Sequence, residues 1–159
     1  MKAVILVPTK ELAQQVTDNL GSMTIYCKSV FHILNVTMNQ SAIPQEAQNV
    51  ILVSTPTKLL HYVNTNSIPL KETLDSVVLD EADLMLSYGY EEDIKKLLNL
   101  FPTLFQSYLM SATLSAEVKT LKQMFVRNPA VLKLEEADPD DLLTQYSVKY
   151  VYTLLSRSN

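Results

Sequence analysis

Short apolar runs, each closed by a turn residue and followed by a stretch with helical spacing, recur along this chain and restrict it to one class of fold. Ala3–Val7 stops at Pro8, Val50–Ser54 at Thr55-Pro56, and Ser76–Leu79 at Asp80. Runs so short and so rich in Val, Ile and Leu read as strands buried on both faces. Phe31–Val36, Ser107–Met110 and Ala130–Leu134 read as further strands. The stretches between them are amphipathic. Thr9 can cap a helix running to about Leu20, with Leu12, Val16 and Leu20 on one face. Thr55 can cap a second, with Pro56 at its first position, where the missing N–H is harmless, and Leu59, Leu60 and Val63 as its apolar face. Glu91–Phe101 spaces Ile94, Leu97, Leu98 and Phe101 along one side and begins with three acids, which suit the positive end of a helix dipole. Ser115 opens a helix through Val118 and Leu121 to about Phe125. Strand–helix alternation of this kind predicts an α/β fold, a mostly parallel sheet with helices on both faces.

In such sheets ligands bind at the carboxyl ends of strands. The strand Val77-Val78-Leu79 runs straight into Asp80-Glu81-Ala82-Asp83, three carboxylates within four residues. An Asp there can hold a hydrated Mg²⁺ on a nucleoside triphosphate, and the adjacent Glu can orient or deprotonate water. An acidic turn that merely caps the next helix has the same composition. Ser111 and Thr113 follow another strand end, and their hydroxyls can pair with Asp83 or form a local turn ahead of Ser115. Pro8, Thr9, Lys10 and Glu11 open one helix and Thr55, Pro56, Thr57 and Lys58 another; free N–H groups at such ends suit phosphates, although ordinary capping is commoner. Tyr88 and Tyr90 flank Gly89, where packing at a turn outweighs stacking on a base.

Composition narrows the partners. The 159 residues are 47% apolar and carry a net charge of −4, so no global basic field attracts nucleic acid and any such contact must be local. Cys27 is the sole cysteine, which excludes an internal disulfide and a cysteine-based zinc site, and fits a reducing compartment. His32 and His61 stand apart, with no acid at ligand spacing. The apolar run after Lys2 is too short for a signal-peptide core or a membrane span.

Taken in order, Pro8-Thr9-Lys10-Glu11-Leu12-Ala13, Ser54-Thr55-Pro56-Thr57-Lys58, Asp80-Glu81-Ala82-Asp83, Gly89-Tyr90 and Ser111-Ala112-Thr113 resemble the first RecA-like domain of DEAD-box ATP-dependent RNA helicases. The stretches 84–90, 106–110 and 128–134 are similar to the nucleolar branch associated with assembly of the large ribosomal subunit. The resemblance implies a P-loop NTPase-type sheet and the cofactors ATP and Mg²⁺. It implies Asp80 as a Mg²⁺ ligand through water, Glu81 at the attacking water, and Asp83, Ser111 and Thr113 coupling the nucleotide to RNA. It implies Pro8, Thr9, Lys10, Glu11, Thr55, Pro56, Lys58 and Gly89 as RNA contacts. It further implies a monomer that meets pre-ribosomal proteins in the nucleus or nucleolus, with no membrane association.

The chain departs from that pattern. No G-x-x-x-x-G-K-[ST] phosphate loop is present; the only glycines are Gly21 and Gly89. Lys10 stands where the family has Arg, Thr57-Lys58 where it has Gly-Arg, and the polar stretch 37–49 lacks its Gly-Gly turn, so weaker RNA contacts are expected. The expected division is an incomplete first RecA-like domain over 1–134 lacking the phosphate-loop strand, an acidic linker over 135–144, and the start of a second domain over 145–159, which alone has no strand of its own domain to pair with and is frayed or docked opportunistically. The sequence thus reads as a middle fragment, inactive alone as an ATPase. A non-enzymatic RNA- or partner-binding fragment is the alternative.

Overall fold

A computed structural model of the chain describes residues 1–27, 30–38, 43, 47, 49–113, 115–126, 130–133 and 150–153. In chain order these form β1 (Ala3–Leu6), α1 (Lys10–Met23), a 3₁₀ turn (Ile25–Cys27), β2 (Phe31–Asn35), β3 (Asn49–Ser54), α2 (Pro56–Asn66), α3 (Leu70–Thr73), β4 (Ser76–Leu79), α4 (Ala82–Ser87), α5 (Glu91–Leu98), β5 (Gln106–Ser111), α6 (Ala116–Phe125), β6 (Ala130–Lys133) and β7 (Tyr150–Thr153). The strands make one sheet in the order β2-β3-β1-β4-β5-β7-β6. Its first five strands are parallel.

Alternation along the strands sends side chains to two cores. Val4 and Leu6 of β1 join Leu52, Val77, Leu79 and Leu109 against Leu59, Met85, Ile94, Leu97 and Leu121 of the helices. Ile5, Val7, Ile33 and Val53 face the other way and meet Leu12, Ala13, Val16 and Leu20 of α1. The expected helix faces are therefore the ones used. Leu12, Val16 and Leu20 stay partly exposed while Ala13 is fully buried, because α1 is the only helix packed on that face among the described residues.

Register is what positions the site. Leu6 of β1 pairs with Ser54 of β3 and with Leu79 of β4. The ladder extends one step further through Val7 N–H to Ser54 O at 3.0 Å and Asp80 N–H to Leu6 O at 2.9 Å. The turns beginning at Pro8, Thr55 and Asp80 consequently leave the sheet side by side at one edge.

One expectation needs correction. The helix from Glu91 ends at Leu98 rather than Phe101: Leu100 N–H and Phe101 N–H bond back three residues, to Leu97 and Leu98, in a tightened turn. Pro102 then disfavours helical geometry at Phe101, whose ring is buried all the same. The stretch expected to be frayed or docked opportunistically is docked where it is described. Residues 145–149 lie outside the described residues, but Tyr150–Thr153 forms β7, antiparallel to both β5 and β6. An extended Tyr-Val-Tyr-Thr segment satisfies the backbone groups that β5 and β6 would otherwise leave open. The linker expected over 135–144 lies outside the described residues.

Candidate nucleotide and RNA site

The acidic turn is held by its own backbone. Asp80, partly buried just past β4, accepts at Oδ1 from the Glu81 N–H at 3.0 Å. Glu81 adopts φ 55°, ψ 52°, a left-handed conformation rare for any residue with a Cβ outside Asn, Asp and His. Such a residue costs about 1–3 kcal/mol and persists where its surroundings over-determine it, most often at functional sites. The kink lets α4 begin immediately at Ala82 and puts Asp83 in its first turn.

Asp83 then ties two elements together. Its Oδ1 accepts from the Leu84 N–H at 3.0 Å, and its Oδ2 accepts from both the N–H (3.1 Å) and the hydroxyl (2.9 Å) of Thr113. Ser111, expected beside Thr113 in this role, is not brought to Asp83. Ser107, Leu109 and Ser111 occupy the buried face of β5, and the Ser111 Oγ is fully enclosed with no hydrogen-bond partner among the described residues. Thr113 lies beyond the strand end, where the chain is free to turn toward α4.

A cleft of ≈ 360 Å³ opens on the same edge of the sheet, lined by Pro8, Thr9, Lys10, Glu11, Thr37, Thr55, Lys58, Tyr88 and Tyr90. Most of the expected RNA contacts meet here. Two helix N-termini converge on it, and they are capped differently. The Thr9 hydroxyl accepts from the Leu12 N–H at 3.1 Å, whereas the Thr55 hydroxyl makes no such bond although Thr55 is only 6% exposed. Pro56 is buried in the first turn of α2 and does not line the cleft. Neither does Thr57, whose hydroxyl donates instead to the Asp93 carboxylate and ties α2 to α5. The Thr57 side chain is thus used in a helix–helix contact.

Gly89 also stays off the cleft wall. It takes φ +79° as the residue after the last turn of α4. Gly89 N–H bonds Leu86 O at 2.9 Å and Tyr90 N–H bonds Met85 O at 3.2 Å, the paired return bonds of a Schellman turn. This geometry packs Tyr90 against the main core and turns Tyr88 outward, 55% exposed. Local spacing assigned packing to both tyrosines; it holds for one. Thr37, whose N–H and hydroxyl both bond the Asn35 side chain, joins the cleft from the end of β2. Its position one turn past a strand end was the available signal.

The acids and the cleft differ in what they can hold. Carboxylate oxygens suit a hard, hydrated cation such as Mg²⁺. Among the described residues, no three His, Cys, Asp or Glu side chains gather to ligate a metal by themselves. Asp80 and Glu81 supply carboxylate oxygens of the kind such a cation takes. The cleft offers helix-end N–H groups and two ammonium groups, a set suited to phosphates. A second hollow, ≈ 330 Å³, is lined by Leu98, Phe101, Leu104, Phe105, Met124 and Phe125 among others, and none of the expected site residues reaches it.

Residues 1–121 match the DEAD/DEAH box helicase family, and the chain belongs to it. It is 39% identical over 154 residues to a protein named probable ATP-dependent RNA helicase ddx56 of Dictyostelium discoideum, covering 94% of this chain and 22% of that protein. It is 41% identical over 151 residues to the ATP-dependent RNA helicase dbp9 of Schizosaccharomyces pombe, covering 92% and 25%. The chain thus spans about a quarter of the length of these curated relatives. A solved DEAD box protein from the hyperthermophile Methanococcus jannaschii superposes with a TM-score of 0.67 at 28% identity, over 80% of this chain and 35% of that one. Saccharomyces cerevisiae dbp5, solved with nup159, gle1, ip6 and adp, gives 0.63 at 25% identity, over 77% and 32%. The sheet is that of a RecA-like domain.

Proposed function

We propose that this chain is the acidic, RNA-facing part of the first RecA-like domain of an ATP-dependent RNA helicase. In this reading residues 1–134 form that domain, 135–144 a linker, and 145–159 the start of a second one. The observation that carries the reading is the double hydrogen bond from Thr113 to Asp83, on the sheet edge that also bears the cleft. When bound, Mg²⁺–ATP supplies the phosphoryl group and the energy of its transfer. Asp80 would hold the cation through water, and Glu81 would orient the attacking water. Asp83 would pass the state of that turn to Thr113 and so to β5. The N-termini of α1 and α2, with Lys10 and Lys58, would grip RNA phosphates without reading sequence. Pre-ribosomal RNA and proteins in the nucleolus are the proposed setting, with the protein acting as a monomer.

The test uses a longer protein that carries this segment together with a G-x-x-x-x-G-K-T loop. Glu81→Gln should abolish both ATP turnover and duplex opening, whereas Thr113→Ala should keep much of the turnover and lose opening. Equal loss of both activities in Thr113→Ala would make that residue a structural support only.

A second reading, RNA binding without turnover, is favoured for the 159-residue chain itself. No phosphate loop occurs in it, while the lysines and helix N-termini of the cleft are present. Turnover above background that vanishes in Glu81→Gln would refute it.

A further inference from the structure

We propose that Tyr88 is a stacking platform for an unpaired RNA base beside the cleft, a contact made to the base rather than to the phosphate backbone. The inference deepens the proposed function and rests on its claim that the cleft receives RNA. Four observations lead to it. More than half of the Tyr88 surface is exposed, although the ring lies in a domain with a well-filled core. It is braced rather than loose: its ring meets that of Tyr90 edge-on, with centroids 6.4 Å apart and planes at 88°. Tyr90 in turn packs on the main core. The backbone beneath is fixed by bonds from Tyr88 N–H to Leu84 O at 3.1 Å, Gly89 N–H to Leu86 O and Tyr90 N–H to Met85 O. A perpendicular partner covers at most one face of the Tyr88 ring, and a planar base fits against the other.

The surroundings select the occupant. Tyr88 lines the same cleft as Lys10 and Lys58. Lys58 makes no ion pair among the described residues. Thr55 lies at the cleft wall, and its hydroxyl does not cap α2. Cations and helix-end N–H groups beside a rigid aromatic face suit a polyanion that also carries flat apolar groups, which describes single-stranded RNA. Stacking of this kind tolerates any base.

The experiment measures binding of the 159-residue chain, by anisotropy at low salt, to two labelled ten-nucleotide probes. One is oligouridine; the other is the same ribose-phosphate chain without bases. Tyr88→Ala and Tyr88→Leu should each weaken oligouridine binding at least about fivefold, leave abasic binding unchanged, and be rescued by Tyr88→Phe. Lys58→Ala should weaken both probes alike. If Tyr88→Ala and Tyr88→Leu change neither probe, or both equally, while Lys58→Ala still weakens them, the stacking role is wrong and the RNA cleft stands. If Lys58→Ala also has no effect, or neither probe binds, the cleft reading falls with it.

Discussion

Asp83 and Thr113 are thirty residues apart in sequence, yet one carboxylate oxygen of Asp83 accepts both the amide and the hydroxyl hydrogen of Thr113, at 3.1 and 2.9 Å. Ser111, the last residue of β5, has its hydroxyl sealed in the core without a partner among the described residues. Neighbouring hydroxyls therefore have opposite energetic signs. Removing one that bonds a carboxylate costs about 1–3 kcal/mol, less where solvent competes, whereas removing an unpaired buried one is neutral or favourable. Thr113→Val should lower the urea-unfolding free energy by about 1 kcal/mol, and Ser111→Ala should leave it unchanged or raise it. Equal losses would mean that the Ser111 hydroxyl has a partner after all.

Glu81 and Gly89 are both left-handed, and they bracket α4. A Cβ in this conformation costs about 1–2 kcal/mol. Gly89→Ala should destabilise by about that amount through backbone strain alone, since an added methyl would meet nothing within 4 Å. Glu81→Gly should be no less stable than the parent, and Glu81→Val clearly less so, because β-branched residues tolerate positive φ worst. Thermal melts of the three variants decide it; a stabilised Gly89→Ala would contradict the turn geometry.

Surface pairs on α5 and α6 set a mild dependence on acid. Hydrogen bonding to Lys95, then its charge, holds Glu92 below the usual 4.5; the amide and the Ser115 hydroxyl at the start of α6 do the same for Glu117. Groups with depressed folded values contribute fully above the unfolded value and lose that contribution as pH falls through the folded one. Melting temperature should therefore drop below about pH 4.5, and the combined Glu92→Gln, Glu117→Gln variant should show a shallower drop. Lys95 is raised to about 12 by Glu91 and then Glu92, so its contribution is complete below 10.5 and disappears only as pH passes 12. No change from this pair is expected between pH 6 and 9.

Much of this arrangement is legible in the residues because it depends on local chemistry. β4 occupies Ser76–Leu79 as its apolar run and terminal acid require, and Thr9 and Ser115 cap their helices through Leu12 N–H and Val118 N–H. The meeting of Pro8, Thr55 and Asp80 follows from parallel strands of matched length. What escaped the sequence depends on partners that spacing does not reveal. Ser111 and Thr113 look equivalent until β5 fixes which one faces the core. Tyr88 and Tyr90 look equivalent until the Gly89 turn points them apart. The docking of Tyr150–Thr153 between β5 and β6 is a tertiary event with no local signature.

The central claim is that the strand-end turns form one RNA-facing surface, and amide chemical shifts test it most directly. Single-stranded RNA titrated at low salt into the isotopically labelled chain should shift the amides of Thr9, Lys10, Glu11, Thr57, Lys58 and Tyr88. Leu98, Phe105 and Met124, around the opposite hollow, should not move, and 0.5 M salt should reverse the shifts. Shifts centred on that aromatic hollow, or shifts that persist at high salt, would contradict the account.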